Sequence, residues 1–275
     1  MNDYLKNINE AIDFIKKKGI NNIDIGMILG SGLGKIAEKI QIKIKISYKE
    51  IPNFPVSTVK EHSGNLIYGT VGDKHVVFFQ GRLHLYEGYS AKEVGFPVRI
   101  LQKLGGKLLI VSNSAGGVNP GLKKGDIVVI KDHINMMGEN PLVGKNIKEF
   151  GTRFPIMHDA YNKNLLKKVK VIAKNKNIKL KEGVYLGLKG PSLETDAEYR
   201  MVEILGGDMV GMSTVPEVIT AVHGGLDVLG FSIITNKFDG MSKNEADFND
   251  VLRVANKAGD VLSNLVLKLI KNLTY

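Results

Sequence analysis

The stretch IDIGMILGSGLG at residues 23–34 decides the fold, because an apolar run ends there in a cluster of small residues. Residues 23–29 are mostly apolar, which is typical of a strand that is buried on both faces. Gly30, Gly32 and Gly34 let the following backbone turn tightly and approach an anion closely. The stretch therefore predicts an α/β protein in which the end of a buried strand opens a binding site.

Two common nucleotide-binding motifs do not match this glycine pattern. A dinucleotide-binding loop has the pattern G-x-G-x-x-G, whereas this loop has G-x-G-x-G. A Walker A loop needs Ser or Thr after its Gly-Lys pair, and Lys35 is followed by Ile36. A tight strand-to-helix turn without a ligand explains the same glycines, so this stretch alone leaves both interpretations open.

Apolar runs recur along the chain and alternate with helical patterns. Further strands are predicted at residues 43–46, 66–80, 107–112, 126–134, 184–190, 209–213 and 226–235. Helices are predicted at residues 3–18, 91–104, 160–176, 194–205, 215–223 and 246–272. The alternation indicates the α/β class, and a hairpin around Gly72 and Asp73 indicates a mixed sheet. Because no linker divides the chain, residues 1–275 are predicted to form a single domain.

The composition is that of a globular protein. Of the 275 residues, 43% are hydrophobic and 24% are charged. The chain contains no cysteine, which excludes disulfides, thiolate catalysis and cysteine-based zinc sites. No apolar run reaches the roughly 18 residues of a membrane-spanning helix, and the charged N-terminus has no signal-peptide pattern. The sequence therefore predicts a cytoplasmic protein without a membrane partner.

The formal net charge of +10 would suit a nucleic acid or another anionic ligand. However, only five of the 38 basic residues are arginines, and the lysines are spread thinly along the chain. Proteins that read nucleic acids rely on arginine for bidentate contacts. We therefore interpret most of the charge as solvated surface lysine and predict no nucleic-acid partner. A non-catalytic protein that binds anions or nucleic acids stays an alternative.

Six predicted strand ends share the property that each passes into small or polar residues. Besides residues 30–34, these segments are residues 80–89, 112–117, 190–195, 211–217 and 234–237. In α/β proteins such strand ends form ligand sites. Arg82 and His84 project to the same side of an extended backbone, which predicts an anion clamp. Local structure offers alternatives, namely a turn at residues 112–117 and a helix cap around Glu194.

The six segments also limit the chemistry. They contain no plausible nucleophile–base pair and no spacing that resembles a metal site. The sequence therefore predicts a small-molecule site that binds a phosphate and works without covalent catalysis and without a metal.

Taken in order, the motifs resemble those of the trimeric family of purine nucleoside phosphorylases. The resembling segments are GSGLG, FPVSTVKEHSGNLIYG, QGRLHLYEGY, SNSAGGVNPGLKKGDIVVIKDHIN, GTRFPIMHDAY, GVYLGLKGPSLETDAEYR, GMSTVPEV and ITNK, which span about residues 20–270. The resemblance implies a single α/β domain with a mixed β-sheet or distorted β-barrel flanked by helices. It also implies a homotrimer.

The activity that the resemblance implies is phosphorolysis of purine (deoxy)ribonucleosides in purine salvage. Inorganic phosphate, the co-substrate, attacks the anomeric carbon of inosine or guanosine and releases the free base and a (deoxy)ribose 1-phosphate. No other cofactor is implied. The transition state would be oxocarbenium-like and no covalent enzyme intermediate would form, so positioning and electrostatics would carry the rate.

The resemblance also assigns roles to individual residues. The implied catalytic residues are His84, Glu194, Asn236 and His62, the last on a mobile loop with Glu87 as its partner. The implied phosphate contacts are Ser31, Arg82, His84, Asn113, Ser114 and Ser213. The implied sugar contacts are Tyr86, Met212 and, from a neighbouring subunit, Phe154. The implied base contacts are Ala115, Gly116, Leu193, Glu194 and Asn236.

Glu194 and Asn236 would make such a site selective for 6-oxopurines. An ionised Glu194 would accept the N1–H of guanine or hypoxanthine, and adenine has no such hydrogen. Asn236 would donate to N7 as negative charge grows on the leaving purine. The pair therefore favours inosine and guanosine as substrates.

Three residues depart from the family pattern. Phe248 stands where a histidine often reaches the sugar 5′-hydroxyl, Leu193 replaces a phenylalanine beside the base, and Ser114 replaces an alanine. These departures leave phosphorolysis in place but loosen the substrate assignment. The alternative is a related phosphorylase that acts on xanthosine or methylthioadenosine, or a nucleosidase that uses water in place of phosphate.

Overall fold

The computed structural model describes residues 3–30, 33–58, 64–237 and 248–274, without the side chains of Lys35 and residues 248–250. Ser31 and His62, to which the resemblance assigns roles, lie outside the described residues. The same holds for the side chain of Phe248, so its predicted effect on the sugar contact stays a prediction.

Nine strands form one sheet within the described residues. They are β1 (Ile25–Leu29), β2 (Gln41–Ser47), β3 (Asn65–Val71), β4 (Lys74–Gln80), β5 (Leu108–Gly117), β6 (Ile127–Asn135), β7 (Leu180–Gly187), β8 (Met209–Gly211) and β9 (Asp227–Lys237). Strands β5, β8, β7, β6 and β9 close into a ring, because β9 pairs with β5 as well as with β6. Strands β1, β4, β3 and β2 extend the sheet outward from β5. The ring contains parallel and antiparallel pairs, which confirms the predicted mixed sheet with a distorted barrel.

Seven α-helices flank this sheet in the described part of the chain. They are α1 (Asp3–Lys17), α2 (Ala91–Val94), α3 (Phe96–Lys103), α4 (Lys163–Asn175), α5 (Asp196–Ile204), α6 (Val215–His223) and α7 (Phe248–Lys271). Helix α3 packs against β1, and α7 packs against β9 and β3. One large cluster of buried apolar side chains joins the helices to the sheet. None of these helices combines the length and the apolar character that crossing a membrane requires.

The helix predicted at residues 91–104 is two helices, α2 and α3, which are separated at Gly95. A Cβ on Gly95 would lie 2.5 Å from Thr220 Oγ1, so α6 packs closely against the break. Pro97, in the first turn of α3, also lacks the N–H that a continuous helix would use. The apolar periodicity continues across this break and could not reveal it.

The strand predicted at residues 107–112 continues to Gly117 as β5. Strand β9 runs parallel to it and pairs with it as far as Lys237. The neighbouring strand thus supplies the hydrogen bonds that hold the small residues of β5 in an extended conformation. The alternative of a turn at residues 112–117 is therefore wrong.

Gly30 marks the point where β1 passes into its following loop. A Cβ at this position would lie 2.3 Å from the carbonyl oxygen of Ser112 and 3.0 Å from Cα of Asn113. Both atoms belong to the backbone of β5, which cannot move aside as the end of a flexible side chain can. Glycine is therefore required here for the close approach of the two strands.

We expect Gly30→Ala to lower the free energy of unfolding by about 1–3 kcal/mol, because the added methyl group forces β1 and β5 apart. Denaturant unfolding of the purified variants measures this loss. Gly34→Ala is the matched control, since its Cβ would meet only Gln80 Nε2, at 4.0 Å. The control should change the free energy of unfolding by less than about 0.5 kcal/mol. Equal stabilities of the two variants would contradict the packing argument.

Candidate active site

A cavity of about 200 Å³ opens where β5, β8 and β9 end. All six strand-end segments contribute to its lining. The lining residues are Gly30, Arg82, His84, Tyr86, Asn113, Ser114, Ala115, Gly116, Leu193, Glu194, Val210, Gly211, Met212, Ser213, Thr235 and Asn236. The prediction that these strand ends meet at one place is confirmed.

Most of the residues to which the sequence assigns a site role thus come together. Within the described residues, Glu87 and Phe154 are the exceptions, since neither lines the cavity, and the side chain of Phe154 is 84% exposed. The guanidinium of Arg153 lies 5.5 Å from the centre of its ring. A contact that Phe154 makes in a neighbouring subunit stays a prediction. Ser31 and His62 lie outside the described residues.

Arg82 reaches the cavity from a buried ion pair with Glu217. Its Nε donates to Glu217 Oε1 at 2.8 Å and its Nη2 to Glu217 Oε2 at 2.9 Å. Its Nη1 donates to the carbonyl oxygen of Ser112 at 2.5 Å and to Ser213 Oγ at 3.2 Å. The side chains of both ion-pair partners are at most 2% exposed. The bidentate pair therefore fixes the plane of the guanidinium and turns its Nη1 edge toward Ser213 and the cavity.

Glu217 is the site residue that the sequence analysis missed. It lies in α6, whose other residues Val215–His223 are almost all apolar and buried. A glutamate is rarely buried completely unless it is paired. A charged residue within such an apolar helix was thus the available signal, although it could not identify Arg82 as the partner.

His84 is held by Glu87. The backbone N–H and the Nδ1 of His84 both donate to Glu87 Oε1 at 2.9 Å. The other carboxylate oxygen accepts hydrogen bonds from Ser57 Oγ, from the Thr58 backbone N–H and from Thr58 Oγ1. Burial raises the pKa of Glu87, but the bonds from His84 and Thr58 outweigh it and lower the pKa to about 2. The predicted contact of Glu87 with His62 lies outside the described residues.

Neutral polar groups complete the side of the cavity near Arg82. Asn113 Nδ2 donates to Thr214 Oγ1 at 2.8 Å. Asn113 Oδ1 and Ser114 Oγ are buried and have no hydrogen-bond partner among the described residues. Thr214 has a φ of 71°, which is strained for a β-branched residue and is typical of functional sites. These groups are therefore placed to bind a polar ligand in the cavity.

Glu194 and Asn236 form a second group of side chains at the cavity. Thr235 Oγ1 donates to Asn236 Oδ1 at 3.2 Å, which leaves the Nδ2 of the amide as the donor for a ligand. The helix cap predicted around Glu194 is made by Thr195 and Glu198, which form a capping box. Glu194 is therefore not needed for the cap, and it lines the cavity.

The cavity can bind an anion beside a heterocycle. Arg82, Ser213 and Ser114 offer donors to an anion, and Glu194 and Asn236 offer an acceptor and a donor to a base. The lining hydroxyls of Ser213 and Thr235 bond to Arg82 and Asn236 rather than to a histidine or carboxylate that would make them nucleophiles. In the same part of the chain, no group of three His, Asp or Glu side chains could hold a metal ion. The arrangement thus suits a direct transfer between two bound ligands.

We expect Glu217→Gln to lower the free energy of unfolding by about 3 kcal/mol, because Arg82 would remain buried without its counter-charge. Denaturant unfolding measures the loss. Glu203→Gln removes an exposed carboxylate and should change the stability by less than about 0.5 kcal/mol. Inorganic phosphate should raise the Tm of Glu217→Gln more than that of the wild type, since a bound anion replaces the missing charge. If Glu217→Gln were as stable as Glu203→Gln, Glu217 would not be needed to balance the buried charge of Arg82.

The low pKa of Glu87 leads to a pH dependence. Its pKa falls from 4.5 to about 2 on folding, so its contribution to stability is present above about pH 4.5 and is lost toward pH 2. The difference in unfolding free energy between wild type and Glu87→Gln should stay constant from about pH 5 to 8 and shrink below about pH 4.5. Urea unfolding at a series of pH values measures it. A difference that already disappears near neutral pH would show that Glu87 is not held ionised.

The chain is similar over most of its length to known proteins of one family. A family model described as Phosphorylase superfamily matches residues 24–271. Purine nucleoside phosphorylase 1 of Geobacillus stearothermophilus is 47% identical over 266 residues, which cover 97% of this chain and 97% of the relative. Purine nucleoside phosphorylase of Bos taurus is 46% identical over 256 residues, which cover 90% of this chain and 89% of the relative.

Solved structures give the same result. The crystal structure of Schistosoma mansoni purine nucleoside phosphorylase in complex with inosine matches with a TM-score of 0.92 at 41% identity, and covers 98% of this chain and 97% of its own. The structure of that organism's enzyme in complex with adenosine matches with a TM-score of 0.93 at 42% identity, and covers 98% of each chain. The chain therefore belongs to the purine nucleoside phosphorylases of the phosphorylase superfamily.

Proposed function

We propose that the protein catalyses phosphorolysis of 6-oxopurine nucleosides, with inosine and guanosine as its substrates. The observation that carries the proposal is that one cavity is lined by Arg82 and Ser213 together with Glu194 and Asn236. The products are the free base and a (deoxy)ribose 1-phosphate. A role in purine salvage in the cytoplasm, without nucleic-acid or membrane partners, belongs to the same proposal.

Phosphate is assigned to the side of the cavity at Arg82. The hydroxyl of Ser213 accepts from Nη1 of Arg82 at 3.2 Å, so it can donate its own hydrogen to an anion that lies beside the charge of the guanidinium. Ser114 Oγ, which has no partner in the described part of the chain, adds a further donor, and His84 lies in the same lining. Ser31 and His62 would add contacts from segments outside the described residues. Phosphate is a co-substrate in this proposal, and no further cofactor takes part.

The purine base is assigned to Glu194 and Asn236. The carboxylate would accept N1–H, and the Nδ2 of Asn236 would donate to N7. Ala115, Gly116 and Leu193 would line the base. Related enzymes support this assignment, since solved structures of Schistosoma purine nucleoside phosphorylase contain inosine, hypoxanthine or guanosine.

The sugar is assigned to Tyr86 and Met212, which line the same cavity as the phosphate and base groups. Phe154 would reach it from a neighbouring subunit of a homotrimer. The exposure of Phe154 (84%) and of Ile156 (80%) supports an interface at this segment, because large apolar side chains rarely stay exposed together.

The proposed reaction needs no group of the enzyme to form a bond with the sugar. A phosphate oxygen forms a bond to C1′ as the bond from C1′ to N9 of the purine breaks, and the base leaves with the electron pair and takes up a proton. Positive charge grows on the sugar and negative charge on the purine. The bound phosphate stabilises the positive charge on the sugar, and the Asn236 amide stabilises the negative charge on the purine. Holding both reactants in one cavity supplies the remaining acceleration.

A related phosphorylase that acts on xanthosine or methylthioadenosine remains the alternative. Leu193 replaces an aromatic contact and is 57% exposed, and the Ser114 hydroxyl adds a buried polar atom. Leu193 changes the lining of the base site, and the Ser114 hydroxyl adds a polar group close to the phosphate or the base. The solved relative that contains adenosine shows why the choice of base must be measured.

Base release from inosine, guanosine, xanthosine and adenosine, with and without inorganic phosphate, tests the proposal. We expect release from inosine and guanosine only with phosphate, and a kcat/KM at least about 100-fold above that for adenosine. Cleavage without phosphate would contradict the role of Arg82 and Ser213. Cleavage of adenosine alone would contradict the role of Glu194 and Asn236. Preference for xanthosine would establish the alternative.

A further inference from the structure

Tyr199 carries a buried hydroxyl that the proposed mechanism does not use. It lies in α5, one turn after the N-cap residue Thr195, and its side chain is 8% exposed. The ring belongs to a small apolar cluster with Val118, Leu186, Val202 and Val210. Val210 also lines the cavity, whereas Tyr199 does not. Tyr199 therefore stands directly behind the cavity wall.

The hydroxyl of Tyr199 reaches the side chains assigned to the base. A Cβ on Gly116 would lie 3.7 Å from the hydroxyl oxygen and 3.1 Å from Asn236 Nδ2. The hydroxyl hydrogen-bonds to Glu194, and burial followed by the charge of this carboxylate raises the pKa of Tyr199. Tyr199 therefore keeps its proton and donates, and Glu194 accepts.

The position of Glu194 explains why such a partner matters. Glu194 lies in the loop before α5, and residues 191–193 and 195–198 on either side of it are exposed. A glutamate on an exposed loop loses rotamer entropy whenever a ligand fixes it. A carboxylate has room for about four hydrogen bonds, so the bond from Tyr199 leaves space for a purine N1–H.

We propose that Tyr199 is a positioning residue for base recognition, whose hydroxyl holds the Glu194 carboxylate in the orientation that accepts a purine N1–H. The inference rests on the proposed function and deepens it. Selectivity for 6-oxopurines then depends on a residue outside the cavity. Loss of this hydroxyl weakens the binding of substrates that have an N1–H and leaves the binding of substrates without one unchanged.

The first test is Tyr199→Phe, which keeps the ring in its apolar cluster and removes only the hydroxyl. We expect kcat/KM for inosine to fall about tenfold, mainly through a higher KM, as for loss of one hydrogen bond to a charged group. For N1-methylinosine, which has no N1–H, the same substitution should change kcat/KM less than about twofold. Equal losses on both nucleosides, or no loss on inosine, would overturn the proposal.

A double-mutant cycle with Glu194→Ala separates positioning from packing. If Tyr199 acts through the carboxylate, Tyr199→Phe changes kcat/KM for inosine less than about twofold when Glu194 is already alanine. A further loss of about tenfold in that background would mean that the hydroxyl acts elsewhere, and would equally overturn the proposal.

Tyr68→Phe is the matched control. Tyr68 is a tyrosine of similar burial at 7% exposed, and its hydroxyl pairs with His75 Nδ1 at 2.7 Å, outside the cavity lining. This control should leave kcat/KM for both nucleosides within about twofold of the wild type. Wild-type enzyme without phosphate-dependent cleavage of inosine would refute the proposed function itself. If the wild type is active but Tyr199→Phe lowers kcat/KM equally for inosine and N1-methylinosine, only the role of Tyr199 is refuted.

Discussion

The buried ion pair between Arg82 and Glu217 is the interaction on which the site depends. Taking both charges out of water is costly, and good geometry with further hydrogen bonds is needed to offset the cost. The bidentate contact and the two Nη1 bonds supply that geometry. Because these partners lie in the loop after β4, in β5 and around the start of α6, the pair fixes three parts of the cavity wall relative to one another.

The same ion pair sets the electrostatics of the anion site. Glu217 offsets the charge of Arg82, and Glu87, which is ionised at neutral pH, lies against His84. The cavity therefore offers an anion directed donors rather than surplus positive charge. A phosphate held in this way would keep most of its own negative charge, and in the proposed reaction that charge would face the sugar on which positive charge develops. If the enzyme neutralised most of the phosphate charge, the phosphate would stabilise the positive charge on the sugar less.

The sequence predicts those parts of the fold and of the site that depend on a pattern of residues close together in the chain. Apolar runs that end in polar residues locate the strand ends, and the order of motifs supplies the roles. The closure of the ring through β5 and β9 has no such signal, because it requires two strands far apart in the chain to pair. The pairing of Arg82 with Glu217 joins residues 135 positions apart and escapes sequence reasoning for the same reason. The break at Gly95 results from its close contact with α6. The spacing of apolar residues along the sequence does not depend on that contact and so could not predict the break.

Three of the polar side chains that line the cavity are each held by a hydrogen bond from or to a neighbouring side chain. Glu87 holds His84, Thr214 holds Asn113, and Thr235 holds Asn236. Such contacts fix an orientation without occupying the atoms that a ligand needs. The amide of Asn236 cannot rotate without losing its bond to Thr235, so in the proposed reaction Nδ2 would not have to reorient when charge appears on a purine. Reorganisation during the reaction is thereby avoided, which is the condition under which a dipole stabilises a transition state more than a ground state.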